Sequence, residues 1–146
     1  MKKLLLILFG FIPLGIGWVM NWLLITFPNT AFPFGYISIA FLVLWAWLGF
    51  ISYKFEKTIN VSMCLIHLPM FLALALNLYQ EIVLGHYFNN IVGVCTQFFY
   101  LPILNTAYTL TSWSARLWVA YIAGFFLMCL AYFGGYALKK HRTKGA

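Results

Sequence analysis

Four long apolar runs set the pattern of this chain: 4–27, 36–53, 59–79 and 117–138. Each is apolar around most of its circumference, without the broad charged face that a surface helix shows. At about 1.5 Å per residue, runs of this length match the ~30 Å hydrocarbon core of a bilayer. A strand barrel would alternate apolar and polar positions over short segments. Helices and closed barrels alone satisfy their backbone groups in hydrocarbon, so the runs predict four transmembrane helices. The first run follows Met1-Lys2-Lys3 as a signal peptide would. Its apolar part exceeds the usual ~7–15 residues and no small-x-small cleavage site follows, so it reads as a retained span. Pro13 and Pro69 are expected to kink the first and third helices.

The segments between the runs differ in character. Pro28 to Gly35 is uncharged and rich in turn formers, whereas Lys54-Phe-Glu-Lys-Thr58 is a tight charged turn. Residues 139–146 form a basic tail, expected to be disordered. Residues 80–116 are long for a loop, yet Phe98-Phe-Tyr-Leu-Pro-Ile-Leu104 is too apolar to stand in water. This stretch is expected to lie on the membrane surface as short helices, or to re-enter the bundle. The predicted fold is therefore all-α: one integral membrane domain, a four-helix transmembrane bundle with an outer interfacial or re-entrant segment.

Composition sharpens this picture. Hydrophobic residues make up 64% of the chain and charged residues 8%, against about 25% charged in a soluble domain. So few charges cannot coat a water-facing surface. The net charge of +7 raises nucleic-acid binding as a reading. Of the nine cations, however, all but Arg116 fall in three patches, at Lys2–Lys3, Lys54–Lys57 and Lys139–Lys144, which flank the apolar runs. A nucleic-acid binder gathers its cations on one face of a polar domain. The patches instead follow the positive-inside rule, which places both termini in the cytoplasm and 80–116 outside. A fifth span at 91–110 would carry the last patch across the membrane, against that rule. The expected location is the plasma membrane, multi-pass; the chain's brevity and bare Met-Lys-Lys start point to a prokaryotic cell. The expected partners are membrane lipids and another membrane protein, without nucleic acid; oligomeric state is not set by the sequence.

Candidate chemistry concentrates on the third helix. With His67 as origin, Asn60, Cys64, Asn77 and Glu81 fall with it within an arc of about 140°. Ionisable groups within spans face the bundle interior or a wet cavity. The functional reading is a cavity open to the outside, leading from Glu81 and Asn77 down to His67, with His86 nearby, for a small ligand or a proton path. The alternative is interhelical hydrogen bonding, worth about 0.6–2 kcal/mol per contact. Glu81 and Arg116, at the outer ends of antiparallel helices, form a candidate ion pair. Ala120, Gly124, Ala131 and Gly135 line one strip of the fourth helix, where small residues permit close packing.

Several chemistries lack their residues. The chain contains no aspartate, no Gly-rich phosphate loop and no HExxH, and no catalytic set or cofactor motif emerges. The three cysteines have neither CxxC nor zinc spacing, and His67, His86 and His141 belong to three different locations, so no metal site is expected. The leading functional expectation is a non-enzymatic accessory or regulatory partner of a larger membrane system. The runner-up is a ligand-binding or proton-coupled transport protein using the polar face. A weaker one is a membrane enzyme acting on lipid, with Glu81 or His86 as the acid-base group.

Overall fold

The computed structural model describes residues 2–144, so Met1 and the last two residues of the tail, Gly145 and Ala146, lie outside it. Every element among the described residues is helical: α1 (Lys2–Phe9), α2 (Ile12–Thr26), α3 (Phe34–Ser52), α4 (Ile59–Leu78), a π-helical turn (Tyr79–Leu84), α5 (Ile91–Phe98), α6 (Leu101–Leu110) and α7 (Leu117–Lys144). Four helical stretches are long and apolar enough to cross a membrane: Lys3–Thr26, Phe34–Ser52, Ile59–Leu84 and Leu117–Thr143. The first is broken between α1 and α2. Pro13 has no N–H to offer the Phe9 carbonyl, and the chain tightens there, with Phe11 N–H bonding to Leu8 O at 3.1 Å.

The helices run alternately. The 53–58 turn joins α3 to α4 at one end of the bundle, and Tyr136 of α7 donates to Glu56 O in that turn at 3.0 Å. Further up α4, Ser62 meets Tyr132 and Phe71 meets Phe125. So α7 is antiparallel to α4 and parallel to α3. The start of α1, the 53–58 turn and the end of α7 share one end, called here the basic end; the opposite one is the lid end.

The chain bends by 61° between α5 and α6. Residues 85–90 lead into α5 and residues 111–116 lead out of α6. Six residues reach at most about 22 Å, less than the ~30 Å hydrocarbon core. Both ends of the pair therefore lie at the lid end, and the pair is a re-entrant wedge and not a fifth span. Its apex penetrates deep into the bundle. Tyr100 donates to Met70 O at 2.8 Å, and the Phe99 ring lies 6.0 Å from Phe11 at the break in the first span. The backbone of Phe98 presses on Gly17, where an added Cβ would sit 2.0 Å from Phe98 O. In this half of the molecule α2 packs on α5 and α6.

At the basic half, helices touch directly. A Cβ on Gly135 would lie 1.7 Å from Ala46 O, one on Gly49 2.1 Å from Tyr132 O, and one on Gly10 2.3 Å from Ile66 O. Such approaches bring backbone against backbone and maximise dispersion contact, the main attraction between helices in lipid. The core between them holds Trp45, Ile66, Met70, Tyr100, Ile103, Met128 and Tyr132, all without exposed surface.

One difference from the sequence reading is the tail. Over its described part, 139–144, it is helical: α7 continues unbroken from Leu138 to Lys144. Leu138, Lys139, Lys140 and Arg142 are good helix formers, and cations in a last turn complement the helix dipole.

Candidate functional site

His67 sits where α3, α4 and α7 meet, 4% exposed. Its Nε2 accepts from the Trp45 indole N–H at 3.3 Å, and its Nδ1 lies 3.0 Å from Met63 O. An indole N–H can only donate, so Nε2 must accept, and the ring proton belongs on Nδ1, donating to Met63 O. Both nitrogens of a neutral imidazole are thereby used. The rings of Tyr132, Trp45 and Phe125 stand edge-on around it, at 5.3, 5.8 and 5.9 Å between centroids. Tyr132 in turn shares a 2.6 Å hydrogen bond with Ser62. The arrangement pins three helices together and leaves His67 no free nitrogen for a ligand or a proton.

The cavity that His67 lines is not the expected one. It is a groove of 380 Å³ between α4 and α7, walled by Met63, Cys64, Leu68, Phe71, Phe125 and Cys129 as well as His67. Leu68 and Phe71 are 44% and 54% exposed. The groove thus opens sideways from the bundle, along the face that lipid covers, and its walls are apolar.

The polar face of α4 divides in the structure. Asn60 and Cys64 are exposed, His67 and Asn77 buried, and Glu81 partly buried. The wheel used for Glu81 assumed one α-helix throughout. Beyond Leu78 the chain enters the π-turn, whose i→i+5 bonding shifts the register. Gln80 takes the interior position instead, with no exposed surface.

Asn77 and Gln80 clamp the wedge. Asn77 Nδ2 donates to Thr96 O on α5 at 3.1 Å, while its Oδ1 is buried without a partner. Gln80 Oε1 accepts from Phe88 N–H at 2.7 Å, and its Nε2 donates to Leu76 O at 3.2 Å. Between them the chain reverses at Gly85, whose φ of 70° falls in the left-handed region that glycine enters without strain. Asn90 then caps α5, its Oδ1 accepting from Gly93 N–H at 3.1 Å. The bonds from Asn77, Gln80 Oε1 and Asn90 each join an amide side chain to a backbone group of the wedge or its entry, groups that a re-entrant segment would otherwise leave unsatisfied.

Glu81 and Arg116 do not meet: among the described residues no ion pair within 4.0 Å joins them. The Glu81 carboxylate accepts from the Tyr87 hydroxyl, brought back over it by the Gly85 turn. Burial, then the Glu81 carboxylate, raise the Tyr87 phenol above its ordinary range. His86 is exposed, with Nδ1 on Leu84 O at 3.0 Å, and makes no hydrogen bond to the Tyr87–Glu81 pair, which clasps the lid. The small strip of α7 faces two neighbours. A Cβ on Gly124 would lie 3.1 and 3.5 Å from Ile103 and Tyr100 of the wedge, and Gly135 faces Ala46; Ala120 is buried and Ala131 partly so. No group of three or more His, Cys, Asp or Glu side chains among the described residues could hold a metal.

Sequence reasoning missed Trp45, Gln80, Tyr87 and Tyr132. Trp45 and Trp47 stand two residues apart, which puts them on opposite faces of α3, one with no exposed surface and the other 57% exposed. Gln80 carried a usable signal, standing one helical turn from Asn77. No known protein-family model, curated protein or solved structure matches this chain.

Proposed function

We propose that this small polytopic membrane protein is a non-enzymatic accessory or regulatory partner of a larger membrane system. One observation carries the reading. The side chains that could have served a reaction or a transport path, His67, Asn77, Gln80 and Glu81, are engaged in hydrogen bonds that hold the bundle to itself. What the spans offer toward lipid is apolar, and it includes the groove beside His67. The charge pattern supports a plasma-membrane location with the basic end, and so both termini, in the cytoplasm.

A photoreactive residue at Leu68 or Phe71, on the groove wall, tests this in native membranes. The reading expects one adduct with a membrane protein, lost when Cys64→Trp fills the groove in a chain that still folds. Adducts with lipid alone would remove the accessory role. A second reading, small-ligand binding under the lid, draws on the unpaired Asn77 Oδ1, a buried acceptor that a ligand donor would satisfy. It expects the purified chain to be stabilised by a small polar molecule, and Asn77→Leu to abolish that effect.

A further inference from the structure

The eight cations of the basic end are more than topology signals. We propose that this end is a preorganised platform that binds the headgroups of anionic phospholipids. Its parts come from three places in the sequence and are fastened together. Tyr136 of α7 donates to Glu56 O in the 53–58 turn, and the Tyr53 ring packs edge-on against Tyr136 at 5.4 Å. Lys139 Nζ lies 5.0 Å above the Phe50 ring at the end of α3. The Phe9 ring of α1 meets Phe55 of the turn at 6.1 Å. Side chains of Lys3, Lys54, Lys57, Lys140 and Arg142 are exposed around this joint, and Lys139 is partly so.

The single acid here can offset only one of them. The Glu56 carboxylate accepts from the Thr58 N–H at 3.0 Å, so it is turned into its own loop. That N–H, then the Thr58 hydroxyl and after it the Lys3 charge, hold its carboxyl below the usual range. The platform thus presents six described cations around one ionised acid, and the excess of positive charge remains.

Height along the membrane normal selects the occupant. The 28 residues of α7 span about 42 Å, well beyond the ~30 Å hydrocarbon core. Its last turns therefore leave the hydrocarbon as rigid helix, and they carry Lys139, Lys140 and Arg142 at headgroup level. Phe50, Tyr53 and Phe55 beside them suit the same interfacial layer. Cations at that level meet phosphodiester groups first, and each near the surface contributes roughly fivefold to binding of anionic lipid.

Native mass spectrometry of the delipidated full chain in neutral detergent, offered equal dioleoylphosphatidylglycerol and dioleoylphosphatidylcholine, tests the proposal. Phosphatidylglycerol should be retained at least tenfold in preference. K139Q/K140Q/R142Q should abolish that preference, and K139R/K140R/R142K should restore it. Tyr136→Phe keeps every charge and unfastens α7 from the turn; it should weaken the preference severalfold. Equal retention of the two lipids overturns the proposal, as does a preference that the glutamine variant keeps. Glycerol phosphate competing as well as the lipid would assign the cations to a free phosphate, and a single-stranded oligonucleotide doing so would assign them to nucleic acid; either result overturns it.

Discussion

The two halves of this bundle are held together by different means. At the basic half, Gly10, Gly49 and Gly135 let backbones touch, and the Trp45–His67 and Ser62–Tyr132 pairs lock α3, α4 and α7 side by side. At the lid half, a third body stands between the helices, and amide side chains fasten it: Asn77 to Thr96 O, Gln80 to Phe88 N–H, with Tyr100 to Met70 O at the apex. The contrast follows from the solvent. A whole helix brings its backbone bonds with it and needs only a close fit. A short bent pair brings several unsatisfied termini into hydrocarbon and must find donors and acceptors there. The basic half should therefore fail through steric change, and the lid half through loss of single hydrogen bonds.

The largest effect is expected at Gly135. Any side chain there meets Ala46 backbone, which cannot turn aside. Gly135→Leu should cost at least the upper part of the roughly 1–3 kcal/mol range for overpacking, measured by unfolding in mixed micelles. Its neighbour Gly134 faces open space, so Gly134→Leu should leave the midpoint almost unchanged. Equal effects at the two positions would break the account of the basic half. Next in size is Trp45→Phe, which keeps the aromatic packing and strips His67 Nε2 of its donor. A buried acceptor left unpaired costs about 1–3 kcal/mol. An unchanged midpoint would show that the pair does not pin the helices.

A smaller global effect and a larger local one are expected at Gln80. Gln80→Leu removes the acceptor for Phe88 N–H and so frees the entry to α5. Global stability should fall by about 1 kcal/mol. Cys95, on α5 and partly buried, should react several times faster with a thiol reagent than it does in the parent chain. A labelling rate equal to the parent's would mean that the amide clamp does not hold the wedge.

The same contrast governs what could be read before the structure was in hand. The spans were legible because continuous apolar runs have few solutions in a bilayer, and the shared end of the cations because charge avoids hydrocarbon. The interior place of His67 followed from the cost of an ionisable group in lipid, although Asn60 and Cys64, read onto the same face, are exposed. Its partner did not, since Trp45 lies 22 positions away and looks like any interface tryptophan. The apolar character of 98–104 announced that 80–116 could not float, but its depth depends on Gly17, Gly124 and Met70 in three other helices. The ion pair assigned to Glu81 and Arg116 came from matching helix ends alone. It overlooked that a glycine four residues on can turn the chain back and bring Tyr87 over the carboxylate. The π-turn, which hands the interior position to Gln80, has no sequence mark in this chain that we recognise.

The Tyr87–Glu81 clasp gives the smallest expected effect and the most selective one. Both groups lie at the lid end near water, so each single change, Tyr87→Phe or Glu81→Gln, should cost about 1 kcal/mol at most. A double-mutant cycle should return most of that as coupling between the two, and none between Glu81 and Arg116. The pH dependence carries a definite sign. The folded phenol holds its proton more tightly than the unfolded one, because of burial and the adjacent carboxylate. Its stabilising contribution is complete below the unfolded value near ~10 and is lost as pH rises above it, since there only the unfolded chain gives up the proton. Tyr87→Phe should therefore flatten part of the fall in stability above that pH while leaving the neutral range nearly as it was. Coupling to Arg116 in place of Tyr87 would restore the helix-end pair and place the lid under electrostatic control, which the hydrogen-bonded clasp does not require.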